Sequence, residues 1–121
     1  TLDELAQEVA AADVVLLPYD SREQVTSGVL TEAVAAGKPV VSTSFPHAVE
    51  LLSDGAGMLV PQADPQALAH ALRTVLTEPG AAEGMARASR TLAQSLLWPT
   101  VASSYLELCR SHTTLHERTA V

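Results

Sequence analysis

The fold of this chain is decided by residues 28–43, which read GVLTEAVAAGKPVVST. The first part of this stretch predicts a helix whose N-cap is Ser27, because a hydroxyl accepts hydrogen bonds from the free N–H groups of a first turn. Gly37 supplies the residue that follows the helix, and Pro39 prevents the helix from continuing. The β-branched residues after Pro39 predict a buried strand, so the stretch forms a helix–turn–strand unit.

The same alternation continues on both sides of this unit. Residues 13–18, DVVLLP, predict an earlier strand, and their consecutive apolar residues indicate a central strand that is buried on both faces. A third, shorter strand is predicted at residues 58–61, and a helix is predicted after the N-cap Asp64. The apolar residues that this helix is expected to bury are Leu68, Leu72, Val75 and Leu76.

The predicted order is helix, strand, helix, strand, helix, strand and then three helices. Such an order is typical of βαβ units, so the predicted fold class is α/β: a parallel, three-layer, Rossmann-like sheet of about three strands with helices on both faces. Three strands are few for such a domain, and Thr1 forms a capping box with Glu4 at the very start of the chain. We therefore expect a larger protein to precede Thr1, and a partial domain over residues 1–110.

Separate predictions concern the C-terminal residues and the edge of the first strand. Residues 111–121 lack periodicity and are predicted to form a flexible C-terminal tail. His112 and His116 have the i, i+4 spacing of metal ligands, but no third ligand is near them in the sequence, so we expect no metal site. The edge of the first strand is expected to be exposed, which predicts a dimer through this sheet edge.

Composition argues against several classes of function. The formal net charge of −7 disfavours a nucleic-acid partner, which would require a basic patch. No apolar run approaches the ~18 residues that span a bilayer, so no transmembrane segment is expected. The single cysteine, Cys109, shares an apolar helix face with Val101 and Tyr105. We interpret it as a small core residue and expect a reducing, cytoplasmic location.

The start of the helix after Ser27 is the first candidate for chemistry. In parallel sheets, ligands bind beyond the carboxyl ends of the strands, and a helix N-terminus there offers free N–H groups and a positive dipole end. Thr26, Ser27 and Gly28 suit a phosphate, although the same residues also form ordinary helix starts. Glu32, one turn further, is either a solvated or ion-paired glutamate or a carboxylate that binds a ribose diol, and spacing does not choose between these.

Several segments together resemble a known family. Residues 12–18 and 28–43, followed by 55–61 and 64–69 and by Trp98 before the final helix, are similar to the donor-binding domain of group 1 glycosyltransferases, the retaining enzymes of the GT-B fold (family 4). The resemblance covers Thr1 to about Cys109, and the order and spacing of the segments carry it. Trp98 itself is interpreted as a packing anchor, with a stacking platform as the alternative.

The resemblance implies a donor-binding loop. The family has two glutamates separated by seven residues, and Glu32 matches the second, which holds the nucleotide ribose. Gln24 stands where the first glutamate contacts hydroxyls of the donor sugar, and Glu23 beside it is a substitute after a small loop shift. Residues 25–29 match backbone contacts to the diphosphate. The implied donor-binding residues are Gln24, Val25, Thr26, Ser27, Gly28, Val29 and Glu32, with Glu23 as a further candidate. His47 is a candidate on separate grounds: it follows the second strand, at the edge of the sheet where ligands bind, and it either faces the donor or is a helix-start histidine in solvent.

No catalytic residue is assigned within these 121 residues. The resemblance implies an Arg–Lys pair against the diphosphate, upstream of Thr1, and an acceptor-binding domain that is also absent. Lys38 does not match that pair and is interpreted as a cation at a helix C-terminus. The resemblance therefore implies a retaining hexosyltransferase with a nucleotide-diphosphate sugar as donor and no metal or other cofactor. The segment alone is expected to be inactive.

Two other functions stay open from the sequence. Nucleotide-sugar epimerases share the GT-B fold. A non-catalytic binding or assembly module could also use this scaffold, and Gln24 in place of a glutamate is the feature that favours it.

Overall fold

A computed structural model describes residues 1–23 and 26–119 of the chain. Three strands alternate with helices, and three helices follow the last strand. The elements are α1 (Leu2–Ala11), β1 (Val15–Leu17), α2 (Gly28–Ala35), β2 (Val40–Thr43), α3 (Pro46–Leu52), β3 (Gly57–Val60), α4 (Pro65–Thr77), α5 (Ala81–Leu96) and α6 (Trp98–Thr119).

The three strands form one parallel sheet in the order β1-β2-β3. The register pairs Val15 with Val40 and Val40 with Gly57. All four residues of β2 are buried, because β2 has a neighbour on each side and helices above and below. The predicted fold class, a parallel α/β sheet between two helical layers, is confirmed.

The prediction that residues 13–18 form a central strand buried on both faces is wrong. Among the described residues β1 lies at the edge of the sheet, and Leu16 is 38% exposed. Side chains alternate along a strand, so Val15 and Leu17 face one layer and Leu16 faces the other. That second layer is α4, which packs against β2 and β3 and leaves Leu16 uncovered. The predicted dimer through this edge stays a prediction.

Two hydrophobic clusters lie on opposite faces of the sheet. The larger lies between the sheet and α1, α2 and α3, with Leu30, Phe45 and Leu52 fully or almost fully buried, and α5 packs against it. The smaller lies under α4 and includes Val41 and Val75. Together they produce three layers, with helices on both faces of the sheet.

The predicted helix starts are confirmed in detail. The Ser27 hydroxyl accepts a hydrogen bond from the Leu30 N–H at 3.2 Å, and the Asp64 carboxylate accepts one from the Ala67 N–H at 2.9 Å. Thr1 and Glu4 form the complete capping box. These caps satisfy N–H groups that have no partner inside the first turn of a helix, so each fixes where its helix begins.

The end of the chain differs from the prediction. α6 continues to Thr119, so the helix does not end near residue 110, whereas the flexibility of residues 111–121 stays a prediction. Cys109 is exposed, and its assignment to the core is wrong. Trp98 is 84% exposed, so it is not a packing anchor among the described residues. α6 packs mainly on α5, and much of its apolar face is exposed within the described part of the chain, as at Tyr105, Leu106 and Leu108.

Two further interpretations change with the structure. Leu76 on α4 is 60% exposed, although it was expected to be buried, because it lies beyond the strip of α4 that covers the sheet. The Lys38 ammonium donates to the carbonyl oxygen of Ala10 at 2.7 Å, so the helix C-terminus that it stabilises belongs to α1. No helix in the described residues is long and apolar enough to cross a membrane.

Candidate functional site

The candidate site lies at the carboxyl ends of the three strands. Because the strands are parallel, the segments that follow Leu17, Thr43 and Val60 leave the sheet at the same end. The segment after β1 runs to the start of α2, which also lies at this end. The loop, the first turn of α2 and the start of α3 therefore surround one surface.

The first turn of α2 has two N–H groups with no hydrogen-bond partner among residues 1–23 and 26–119. The Leu30 and Thr31 N–H groups donate to the Ser27 hydroxyl and carbonyl oxygens, at 3.2 and 3.3 Å. Within the described residues, the N–H groups of Gly28 and Val29 make no hydrogen bond. Unpaired N–H groups at a helix N-terminus attract anions, so this turn can bind a phosphate.

The space beside the Gly28 Cα is open among the described atoms. Gly28 is exposed, and a Cβ added to it would meet nothing within 4 Å among the described atoms. Val29 is half-buried. The Ser27 side chain, in contrast, is buried and occupied as the cap of α2, so its role at this surface is to order the turn.

Glu32 lies on the same side of α2 as Gly28. Residues four apart share one helix face, and four residues rise about 6 Å along the axis. Glu32 is exposed, and its carboxylate makes no hydrogen bond or ion pair with any residue in the described part of the chain. A ligand whose anionic group binds the first turn therefore meets a carboxylate one turn further along.

The remaining predicted positions come before α2 in the sequence or lie on α3. Thr26 and Glu23 are exposed in the loop before α2, and the Glu23 N–H donates to the Ser21 hydroxyl at 3.2 Å. Gln24 and Val25 lie outside the described residues. His47 was expected either to face the donor or to lie in solvent. The structure shows that its Nδ1 accepts the Ser27 N–H at 3.0 Å.

Residues that the sequence analysis did not single out hold the loop after β1. The Thr43 hydroxyl, at the end of β2, donates to the carbonyl oxygen of Tyr19 at 2.6 Å. The Tyr19 ring meets Phe45 edge-on, with centroids 5.1 Å apart. The position of Thr43 at the end of a predicted strand was the signal that could have identified it. The sequence does not indicate, however, which loop the Thr43 hydroxyl binds.

Gln62, in the segment after β3, makes a similar connection. Its amide nitrogen donates to the carbonyl oxygens of Ser21 and Ser44, both at 3.2 Å. The loops that follow all three strands are thereby linked. The loop between β1 and α2 is thus supported at its start and middle by residues from the other two strand ends.

The α4 side of the same surface has different chemistry. A cavity of about 150 Å³ lies there, and its lining includes Asp20, Thr43, Asp64 and Leu68. Two carboxylates disfavour a phosphate through charge repulsion. The unpaired N–H groups on the α2 side make that side the better place for an anion.

The chain is similar in sequence to known proteins. Residues 1–78 match the family described as Glycosyl transferases group 1. A D-inositol 3-phosphate glycosyltransferase from Corynebacterium urealyticum is 35% identical over 116 residues, which cover 95% of this chain and 27% of that protein. A glycogen synthase from Mycobacterium tuberculosis is 36% identical over 84% of this chain and 24% of its own length. The chain therefore spans about a quarter of the length of these relatives.

A solved structure has the same arrangement of elements. Sucrose-phosphate synthase from Thermosynechococcus elongatus superposes with a TM-score of 0.72 at 28% sequence identity. The match covers 93% of this chain and 28% of that chain. Similarity in sequence and in fold therefore agree.

Proposed function

The chain belongs to the group 1 glycosyl transferases, and on that premise we propose that it forms the donor-binding part of a retaining hexosyltransferase that uses a nucleotide-diphosphate sugar. One observation carries the proposal. In the described part of the chain, the N–H groups of Gly28 and Val29 are unpaired at the N-terminus of α2, and the Glu32 carboxylate, one turn away on the same face, has no partner. This spacing suits a diphosphate and the ribose attached to it.

Each part of the donor is assigned to residues of the loop or of α2. The diphosphate lies on the N–H groups of Gly28 and Val29, where the helix dipole favours negative charge. Glu32 accepts two hydrogen bonds from the ribose diol. Gln24 contacts hydroxyls of the sugar, with Glu23 as the alternative. Val25 and Thr26 continue the loop to the diphosphate.

Catalysis is proposed to consist mainly of positioning and of stabilising the leaving diphosphate. Electrostatic stabilisation of developing charge is usually the largest catalytic contribution. The first turn of α2 supplies part of it, and a basic pair and an acceptor-binding domain elsewhere in the protein supply the rest. We therefore expect the 121 residues alone to be inactive, and we expect a cytoplasmic enzyme without a metal cofactor.

The names of the relatives support sugar transfer as the reaction. They include a D-inositol 3-phosphate glycosyltransferase and an N-acetylglucosamine transferase from Azotobacter vinelandii that is 34% identical over 90% of this chain. Both names state transfer of a sugar. The acceptor of the present protein does not follow from this part of the chain.

The experiment that tests the proposal replaces Glu32 in the intact enzyme. Glu32→Ala should weaken donor binding by about 1.5–3 kcal/mol for each charge-assisted hydrogen bond that is lost. The affinity is measured by calorimetry, after a thermal-shift screen of UDP, GDP, ADP and their sugars has identified the donor.

Glu8→Ala is the matched control. Glu8 is an exposed glutamate on α1, so its replacement should leave donor affinity unchanged. Equal donor affinity for Glu32→Ala and the wild-type enzyme would overturn the ribose assignment. No response to any nucleotide in the thermal-shift screen would favour the non-catalytic module, and epimerisation without an acceptor would favour the epimerase.

A further inference from the structure

We propose that His47 is a positioning residue for donor binding, which holds the last residue of the donor loop in place through its Nδ1 atom. The inference rests on the proposed function of the α2 N-terminus. It assigns to His47 a role that acts through Ser27 instead of through contact with the donor. The contact that carries it joins residues 20 apart in the sequence: the Ser27 N–H donates to His47 Nδ1 at 3.0 Å.

His47 is mounted on a fixed element. It is the second residue of α3, whose start is held by the fully buried Phe45 and by Pro46 at the first helical position. Ala48 and Leu52 of the same helix are buried in the larger hydrophobic cluster. The imidazole therefore has little freedom of its own, and it acts as an anchor for Ser27.

The hydrogen bond also fixes the state of the imidazole. An N–H group donates only to a lone pair, so Nδ1 of His47 carries no proton and the proton of the neutral ring lies on Nε2. An imidazolium has donors at both nitrogens and cannot accept this bond. A side chain that lacks an acceptor at the position of Nδ1 cannot accept it either.

The consequence concerns which N–H groups are left for a ligand. Ser27 is buried, and its N–H precedes those of Gly28 and Val29 at the start of α2. With His47 in place, the Ser27 N–H is occupied, and the next two N–H groups have no partner within the residues that the structure describes. Without that acceptor, the Ser27 backbone can change its orientation. The N–H groups of Gly28 and Val29 then no longer point in a fixed direction.

The loop is held on both sides of its central residues. Thr43 and Gln62 bind the carbonyl oxygens of Tyr19 and Ser21 at the start of the loop. His47 binds its end. In the sequence, the position proposed to contact the sugar falls between these supports, so we expect the loss of one support to affect how the donor is bound.

The test compares three variants in the intact enzyme. His47→Asn places an amide oxygen where Nδ1 lies, His47→Gln moves the acceptor one atom further out, and His47→Ala removes it. His47→Ala should raise the KM for the donor on the order of tenfold, as expected when a buried N–H loses its partner, while kcat changes by less than about twofold. His47→Asn should restore KM to within about threefold of wild type, and His47→Gln should not.

Two additional measurements separate this proposal from the proposed function. Hydrogen exchange of the Ser27 amide without donor should accelerate in His47→Ala and stay slow in His47→Asn, whatever the enzyme binds. His70→Ala, which removes an exposed histidine of α4 with no hydrogen bond among the described residues, should change neither exchange nor KM. If the wild-type enzyme binds no nucleotide sugar, the exchange result still decides whether His47 holds Ser27.

Two results would overturn the proposal. Unchanged exchange of the Ser27 amide in His47→Ala would show that the histidine does not hold the loop. An equally raised KM in His47→Asn and His47→Ala, with the Ser27 amide still protected in His47→Asn, would show that His47 contacts the donor directly.

Discussion

The two ends of the parallel sheet use the same residue type for opposite purposes. At the amino ends of the strands, a Cβ on Gly57 would lie 2.5 Å from the carbonyl oxygen of Val40, and a Cβ on Gly37 would lie 2.8 Å from Cγ of Arg90. At the carboxyl ends, a Cβ on Gly28 would meet nothing within 4 Å among the described atoms. Glycine permits close packing at one end and leaves open space at the other, where we propose that the donor binds, so stability and binding should respond to different substitutions.

The largest effect is expected for Gly57→Ala. The methyl group would overlap the backbone of β2, which cannot move without disturbing the central strand of the sheet. We expect the free energy of unfolding to fall by at least about 3 kcal/mol, measured by urea denaturation. Gly84→Ala is the matched control: Gly84 lies within α5, has nothing within 4 Å of its added Cβ, and should gain up to about 1 kcal/mol.

A small loss of stability in Gly57→Ala, similar in size to that of an ordinary surface substitution, would contradict this account. It would mean that the amino ends of β2 and β3 can separate, and that close packing there is not what holds the sheet.

A substitution of Ser89 on α5 should also destabilise the fold at the amino ends of the strands. Its hydroxyl is fully buried and lies 3.2 and 3.3 Å from the carbonyl oxygens of Lys38 and Ala56, which precede β2 and β3. Ser89→Ala leaves both oxygens without this donor and should cost about 1–3 kcal/mol of unfolding free energy. Ser103→Ala on exposed α6 should stay within about 0.5 kcal/mol of wild type. A donor affinity that falls together with stability in Ser89→Ala would contradict the separation of the two ends.

Local chemistry explains why the elements were predictable. Ser27 and Asp64 cap their helices through N–H groups three residues away, and Gly37 has the left-handed conformation, with a φ of 67°, that ends α2. Because such signals involve neighbouring residues, the sequence alone locates the helices and strands and the open turn at Gly28.

The errors have a different origin. Periodicity tells which residues share a face, but it does not tell what lies against that face. Leu16, Leu76 and Cys109 were expected to be buried because they lie in apolar patterns, and each faces a side that no described element covers. The supports of the loop were missed for a related reason: His47 and Ser27 are 20 residues apart, and Gln62 and Ser21 are 41 apart. Such pairings depend on the order of the strands, which the sequence does not state.

The smallest effect on stability, with a separate effect on binding, is expected for Gly28→Val. The side chain fits the fold because the space beside Gly28 is open, so the free energy of unfolding should change by less than about 1 kcal/mol. The same side chain fills the open space beside the N–H groups of residues 28 and 29, where the diphosphate is proposed to lie. Donor affinity, measured by calorimetry on the intact enzyme, should therefore fall at least about tenfold, which corresponds to 1.4 kcal/mol. Gly84→Val, at an open position far from this turn, controls for a valine within a helix and should leave donor affinity unchanged. Wild-type affinity in Gly28→Val would mean that the donor does not lie on the first turn of α2, and the contrast between the two ends of the sheet would then concern packing alone.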